Sequence, residues 1–233
     1  MADTVDRASP GRRPAIADSA VATGRGDDGT TALLFGGDRI AKDDPRAEAY
    51  GTIDEAVAAL GLARAQLGLK KKLGVLGPGF GSLADVILRL QRELFVVAAE
   101  LATNPEAWDR LDDGRTRVSA EMVDGLETLL RGVEGHVTMP HEFVVPGETP
   151  TSAQLELART TLRRAERRAV TLGREGLIPG PHLLPYLNRL ADLLWVLARA
   201  AEQAEARTPT PSRDAGRRRS RTHPATPDRS TDR

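Results

Sequence analysis

Leu155 to Leu172 reads LELARTTLRRAERRAVTL, and within it Arg159, Arg163 and Arg167 recur at every fourth position. In an α-helix that spacing stacks three guanidinium groups on one stripe, with Arg164 and Arg168 one stripe over. Like charges so placed oppose helix formation by roughly 0.2–0.5 kcal/mol per pair, and Glu166 offsets only part of this. Two chemistries fit: a solvated, salt-bridged face, or a surface shaped for a multiply charged anion.

Other polar segments bear on that choice. Thr23 to Thr31, TGRGDDGTT, offers Gly24 and Gly26, the hydroxyls of Thr23, Thr30 and Thr31, and Arg25. A loop of this kind either wraps a phosphate with its backbone N–H groups or is an ordinary turn; it lacks the GK[ST] ending of a Walker motif. Lys42 follows in IAKDDPRAEAYGTIDE and adds a point charge for a phosphate, unless Asp43 and Asp44 neutralise it. Asp54 falls near a helix start, where the macrodipole alone favours a carboxylate. Phe143, in EFVVPGE, precedes a Pro-Gly turn and is either presented from a loop or anchors that loop to the core. Asn188 interrupts an apolar helix together with Arg189 and Asp192, and an Asn beside a buried face needs a partner, for which a ligand is one candidate.

These residues must be positioned by helices. Apolar residues recur at intervals of three and four over Ala49–Leu67, Leu83–Leu101, Met122–Val133, Leu155–Leu172 and about His182–Glu205. Strand signals are sparse, the one β-like run being Glu142–Val145. Five long helices joined by Gly- and Pro-containing loops imply an all-α antiparallel five-helix bundle. Residues 1–21 and 207–233 have disorder-prone compositions, the second with a basic run at Arg217, Arg218, Arg219 and Arg221, so the bundle is expected over 22–206. Lys70–Lys72 and the GVLGPGFGS that follows read as an inter-helix loop.

Basic and acidic residues balance at 33 each, so no global field argues for nucleic acid. Cysteine is absent, which removes thiolate metal sites and cysteine nucleophiles and fits a reducing cytoplasm. No apolar run approaches the roughly 20 residues of a membrane span. The expectation is a soluble, cytoplasmic protein with no membrane partner and no dedicated metal ligands.

Four segments, TGRGDDGTTALLFGGDRIAKDDPRAEAYGTIDEAVAALGLARA, EFVVPGE, ARTTLRRAERR and YLNRLADLLWVLAR, stand in the order and spacing of the PduO-type ATP:cob(I)alamin adenosyltransferases, which this chain therefore resembles. The resemblance implies a ferritin-like bundle of the cobalamin adenosyltransferase type. It also implies transfer of the 5′-deoxyadenosyl group of ATP to reduced cobalamin with release of triphosphate, Mg²⁺ accompanying the triphosphate, and a homotrimer with active sites between subunits. Thr23, Gly24, Arg25, Gly26, Thr30, Thr31 and Lys42 then match ATP contacts, as do Arg163, Arg164, Glu166 and Arg167 of the RRxER block and Asn188. Arg159 and Asp54 match a pair that meets across the subunit interface, and Phe143 the aromatic that covers the lower corrin face. A flavoprotein reductase and an adenosylcobalamin-dependent mutase are the implied partners. An adenosylcobalamin carrier with weak or no catalysis is the alternative.

Overall fold

The computed structural model describes residues 21–68 and 79–213, together with Ser19 and Leu76. Five helices carry the fold: α1 (Pro45–Gly68), α2 (Leu83–Leu101), α3 (Ala120–Glu134), α4 (Pro150–Arg174) and α5 (Leu183–Ala204). All five expected helices are present. Three, α1, α3 and α4, begin earlier than their apolar periodicity, because local chemistry sets the start. Asp44 bonds the Arg46 amide at 2.8 Å ahead of α1, and α4 opens with Pro150 behind a reciprocal capping box between Thr149 and Ser152. Ser82 and Ser119 cap α2 and α3 in the same manner, each accepting from a backbone amide three residues on.

Helix α1 packs on α2 and α4, and α5 on α4 and α3, so α4 sits between α1 and α5. The buried seam runs through Ile53, Leu60, Leu90, Leu94, Leu126, Leu155, Leu162, Leu187, Leu190 and Leu197. Each such side chain contributes roughly 1.5–3 kcal/mol by leaving water, which accounts for a bundle with few aromatics. Polar cross-links fix register: Gln91 Nε2 donates to the Val57 carbonyl at 3.0 Å, and the buried Tyr186 hydroxyl donates to Glu93 at 2.8 Å. Burial, reinforced by Glu93, pushes the Tyr186 phenol well above its usual range, so it remains a donor.

Four two-residue strands are too short for a period-2 pattern to reveal. β1 (Thr30–Thr31) pairs antiparallel with β2 (Ile40–Ala41), and β3 (Val144–Val145) with β4 (Thr210–Pro211). β4 falls in the stretch whose composition reads as tail; it is ordered by backbone pairing, not by side-chain burial. The β1–β2 connection is anchored where Leu34 exchanges backbone hydrogen bonds with Ala102 and Asn104 at the end of α2. Gly37 lets Asn104 approach: a Cβ there would lie 1.9 Å from the Asn104 amide nitrogen. A 3-10 turn over Pro105–Arg110 then leads toward α3. Lys70–Lys72, most of residues 1–21 and the basic run at Arg217–Arg221 lie outside the described residues. No helix among the described residues is long and apolar enough to cross a membrane.

Candidate active site

The Thr23–Thr31 loop is held from inside and from the β2 side. Asp28 Oδ1 accepts from the Thr30 amide at 2.9 Å and from its hydroxyl at 2.7 Å, which holds the carboxyl below its ordinary range. Arg39 clasps the loop: Nε donates to the Thr30 hydroxyl at 2.7 Å, and Nη2 to the carbonyls of Arg25 and Thr30 at 2.6 and 2.9 Å. The Lys42 amide donates to the Gly29 carbonyl at 2.9 Å, and its ammonium folds over Gly26, where a Cβ would stand 2.9 Å from Nζ. Thus Thr23, Gly24, Arg25, Gly26, Thr30, Thr31 and Lys42 are brought into one turn, with three cations at its rim. Arg39 was not anticipated, although GGDRIAK places it three residues from Lys42, immediately before β2.

Helix α4 sorts its arginines by side. Toward α1, Arg164 pairs with Glu55; Arg168 pairs with Glu48 at 2.7 Å and donates to the Glu48 carbonyl and the Thr52 hydroxyl. Toward α5, Asn188 Nδ2 donates to Glu166 at 3.2 Å. Arg163 and Arg167 have no carboxylate partner among the described residues, and Arg167 bonds only the Arg163 carbonyl, at 3.0 Å. The solvated salt-bridged face describes Arg168 and, in this chain, Arg164; it does not describe Arg163 and Arg167. Arg189 and Asp192 pair at 3.5 Å, and Arg189 also bonds Glu127 of α3 at 3.0 Å.

Arg159 is held from behind. Its Nε donates at 2.6 Å to Glu156, a carboxylate only 4 % exposed. Glu156 also lies 3.4 Å from Arg199, which is buried and bonded to Glu202 at 2.8 Å. Asp54 is exposed on α1 and has no ion-pair partner among the described residues. Within one chain it does not meet Arg159.

Phe143 is 86 % exposed, so it is displayed rather than anchored in the core. It lines a cavity of about 420 Å³ with His141, Trp195, Ser212 and Arg213. A neighbouring cavity of about 320 Å³ is lined by Arg159, Arg163, Asp192, Trp195 and Met139. Trp195 borders both, joining the arginine stripe to the Phe143 side. It was missed, though it lies two turns beyond Asn188 on the same stripe of α5. No hydrogen bond or ion pair among the described residues links the Thr23–Thr31 loop to Arg163, Glu166 or Asn188. The loop is tied to the end of α2 and the start of α1, and two half-sites result.

No group of three or more His, Asp or Glu side chains among the described residues is placed to hold a metal ion. A divalent ion here would be carried by a polyanionic ligand's oxygens and water, the coordination Mg²⁺ favours. Arg163, unpaired among the described residues and set in a cavity whose Trp195 wall is shared with the Phe143 cavity, suits a ligand with a polyphosphate at one end and a flat apolar body near the other.

A family model described as cobalamin adenosyltransferase matches residues 21–201. A corrinoid adenosyltransferase of Citrobacter freundii is 40 % identical over 183 residues, covering 77 % of this chain and 93 % of that protein. One from Bacillus subtilis is 37 % identical over 177 residues, covering 76 % and 83 %. A longer C. freundii relative, corrinoid adenosyltransferase PduO, is 39 % identical; the match takes in 78 % of this chain and half of that protein's length. Among solved structures, a phenylalanine-to-alanine variant of the PduO-type ATP:corrinoid adenosyltransferase from Lactobacillus reuteri, complexed with cobalamin and ATP, superposes with a TM-score of 0.68 at 28 % identity. That superposition covers 82 % of this chain and 98 % of that one.

Proposed function

This chain belongs to the cobalamin adenosyltransferase family, and from that premise we propose how its residues divide the work of transferring the 5′-deoxyadenosyl group of ATP to a reduced corrinoid. The Co(I) lone pair attacks C5′ of ATP. A Co–C bond forms as the C5′–O bond breaks, and the electron pair of that bond leaves with triphosphate. Cobalt is itself a strong nucleophile, so the protein needs neither a serine nor a cysteine nucleophile. Its tasks are to orient C5′ toward cobalt and to neutralise the charge that develops on the leaving oxygen.

The observation that carries this reading is Arg163, without a carboxylate partner among the described residues, lining a cavity that shares Trp195 with the cavity of Phe143, with Arg167 one helical turn away. Arg163 and Arg167 take the polyphosphate, and a Mg²⁺ ion bound with it would add to the neutralisation of the leaving charge. Glu166 and Asn188, already bonded to each other, take the nucleoside. Thr23, Gly24, Arg25, Gly26, Thr30, Thr31 and Lys42 close over ATP from the other half-site. Arg164 joins them by exchanging Glu55 for a phosphate oxygen. Phe143 covers the lower corrin face, excludes water and the axial ligand, and so eases reduction of Co(II).

The separation of the half-sites within one chain supports a homotrimer whose neighbours complete each site, with Asp54 of one copy meeting Arg159 of the next. Catalysis is assigned to one domain from about residue 22 through β4, past the expected boundary at 206, because Thr210 and Pro211 pair with β3 and Ser212 lines the Phe143 cavity. A cytoplasmic location suits a reaction that consumes ATP and needs cobalt kept reduced. A flavoprotein reductase upstream and an adenosylcobalamin-dependent mutase downstream complete the proposal. Mixing the protein with ATP, Mg²⁺ and chemically reduced cobalamin, and following the corrinoid spectrum, tests it: adenosylcobalamin should accumulate catalytically. Cobalamin binding without its formation would make the chain a carrier.

A further inference from the structure

Charged side chains of alternating sign, Arg159, Glu156, Arg199 and Glu202, run inward from the cavity that Arg159 lines. Arg159 Nε donates to Glu156 Oε2 at 2.6 Å, and its two Nη groups make no hydrogen bond among the described residues. The other Glu156 oxygen lies 3.4 Å from Arg199 Nη2, which donates to Glu202 at 2.8 Å. Glu156, Arg199 and Glu202 are all buried. Nε and Nη1 of Arg199 are enclosed without a hydrogen-bond partner among the described residues, and its guanidinium carbon stands 5.6 Å from the centre of the Trp195 ring, one turn back on α5. That cation is held at one corner by carboxylates and across its face by an indole. Trp195 is the side chain that the two cavities share.

Stability gives little reason for such a set. Taking charges out of water costs about as much as their attraction returns, and apolar side chains of similar volume commonly serve a core as well. A buried ion chain fixes direction, which an apolar cluster does not. With Nε of Arg159 occupied from behind, its Nη edge is left for a partner, and the Trp195 ring is seated against a cation that cannot move without breaking two ion pairs.

We propose that Glu156 and Arg199 are positioning residues for adenosyl transfer: they aim Arg159 at a neighbouring copy and hold the Trp195 ring between the two cavities, so that one buried chain couples assembly to corrinoid binding. The inference rests on the assignments of Arg159 to the subunit interface and of the Phe143 cavity to the corrinoid given above.

A mutant cycle in the full chain tests it. Glu156→Leu, Arg199→Met and Glu202→Leu are made together, so that no member of the buried set is left charged and unpaired, and the bundle should keep its helical circular dichroism. Arg159→Ala is then introduced into wild type and into this triple variant, and adenosylation and sedimentation velocity are followed. In wild type it should lower kcat about tenfold and shift the protein to lighter species; in the triple variant, which already shows both defects, it should change kcat less than about twofold. Arg199→Lys, made separately, keeps the charge but loses the flat face, and should raise the cobalamin KM about threefold with the KM for ATP unchanged. It should also shift the Trp195 emission, read in a Trp108→Phe background where Trp195 is the one remaining tryptophan. An Arg159→Ala loss of equal size in the two backgrounds, or an unchanged cobalamin KM and emission in Arg199→Lys, would overturn the proposal while the family reaction stands; if the triple variant loses its helical signal, Arg199→Lys decides alone. If wild type forms no adenosylcobalamin, the reading of the site fails first and takes this proposal with it.

Discussion

Glu100, in the last turn of α2, offers a stability prediction whose sign and size both follow from its surroundings. It is 1 % exposed, and its Oε2 accepts from the Val118 amide at 2.7 Å. Burial outweighs the hydrogen bonds from Val118 and Gly180 and the nearby Arg117 charge, raising the carboxyl from an ordinary 4.5 to about 7. The folded state therefore holds a proton that the unfolded chain has already released. That contribution is fully present below pH 4.5 and is lost as pH rises through about 7. From about pH 5 to about pH 8 the loss is roughly 2.5 kcal/mol, since each pKa unit is worth about 1.36 kcal/mol. Denaturant titrations at those two pH values on wild type and Glu100→Gln give the answer by difference, because the other titrating groups are shared. The variant should have a smaller decline in stability between them, by about 2 kcal/mol. Parallel declines in the two proteins would refute the assignment of the buried proton to Glu100.

Two further perturbations probe the site. Gly26→Ala places a Cβ 2.9 Å from Lys42 Nζ and 3.2 Å from the Thr30 carbonyl. It should raise the KM for ATP about tenfold (about 1.4 kcal/mol) with little change in thermal midpoint; an unchanged KM would remove the loop from the ATP site. Arg159→Ala should weaken assembly by about 2–5 kcal/mol as well as activity, seen as a shift to lighter species in sedimentation velocity at micromolar concentration. An unchanged sedimentation profile would remove Arg159 from the interface.

The helices were legible because their apolar spacing is regular, and the same period that marks Leu155, Ala158, Leu162 and Ala165 as core also places Arg159, Arg163 and Arg167 on a single stripe. Division of labour among the five arginines was only half legible. Stripe assignment is a property of one helix, but whether Arg164 is free depends on Glu55, more than a hundred residues away in sequence. Arg39, Trp195 and the Glu156–Arg199 pair escaped notice for the same reason: each is defined by what another element brings to it. β4 was illegible because its order comes from backbone hydrogen bonds, which composition does not encode. Phe143 could be read as displayed or anchored, and only its exposure decides the matter.

Attack at C5′ requires the polyphosphate to leave whole. The most direct measurement is a single-turnover reaction with protein, ATP, Mg²⁺ and preformed Co(I) corrinoid, with phosphorus NMR of the products set against adenosylcobalamin formed. One intact triphosphate should appear for each Co–C bond. ADP, AMP or orthophosphate as the primary product, or adenosylcobalamin without matching triphosphate, would contradict it.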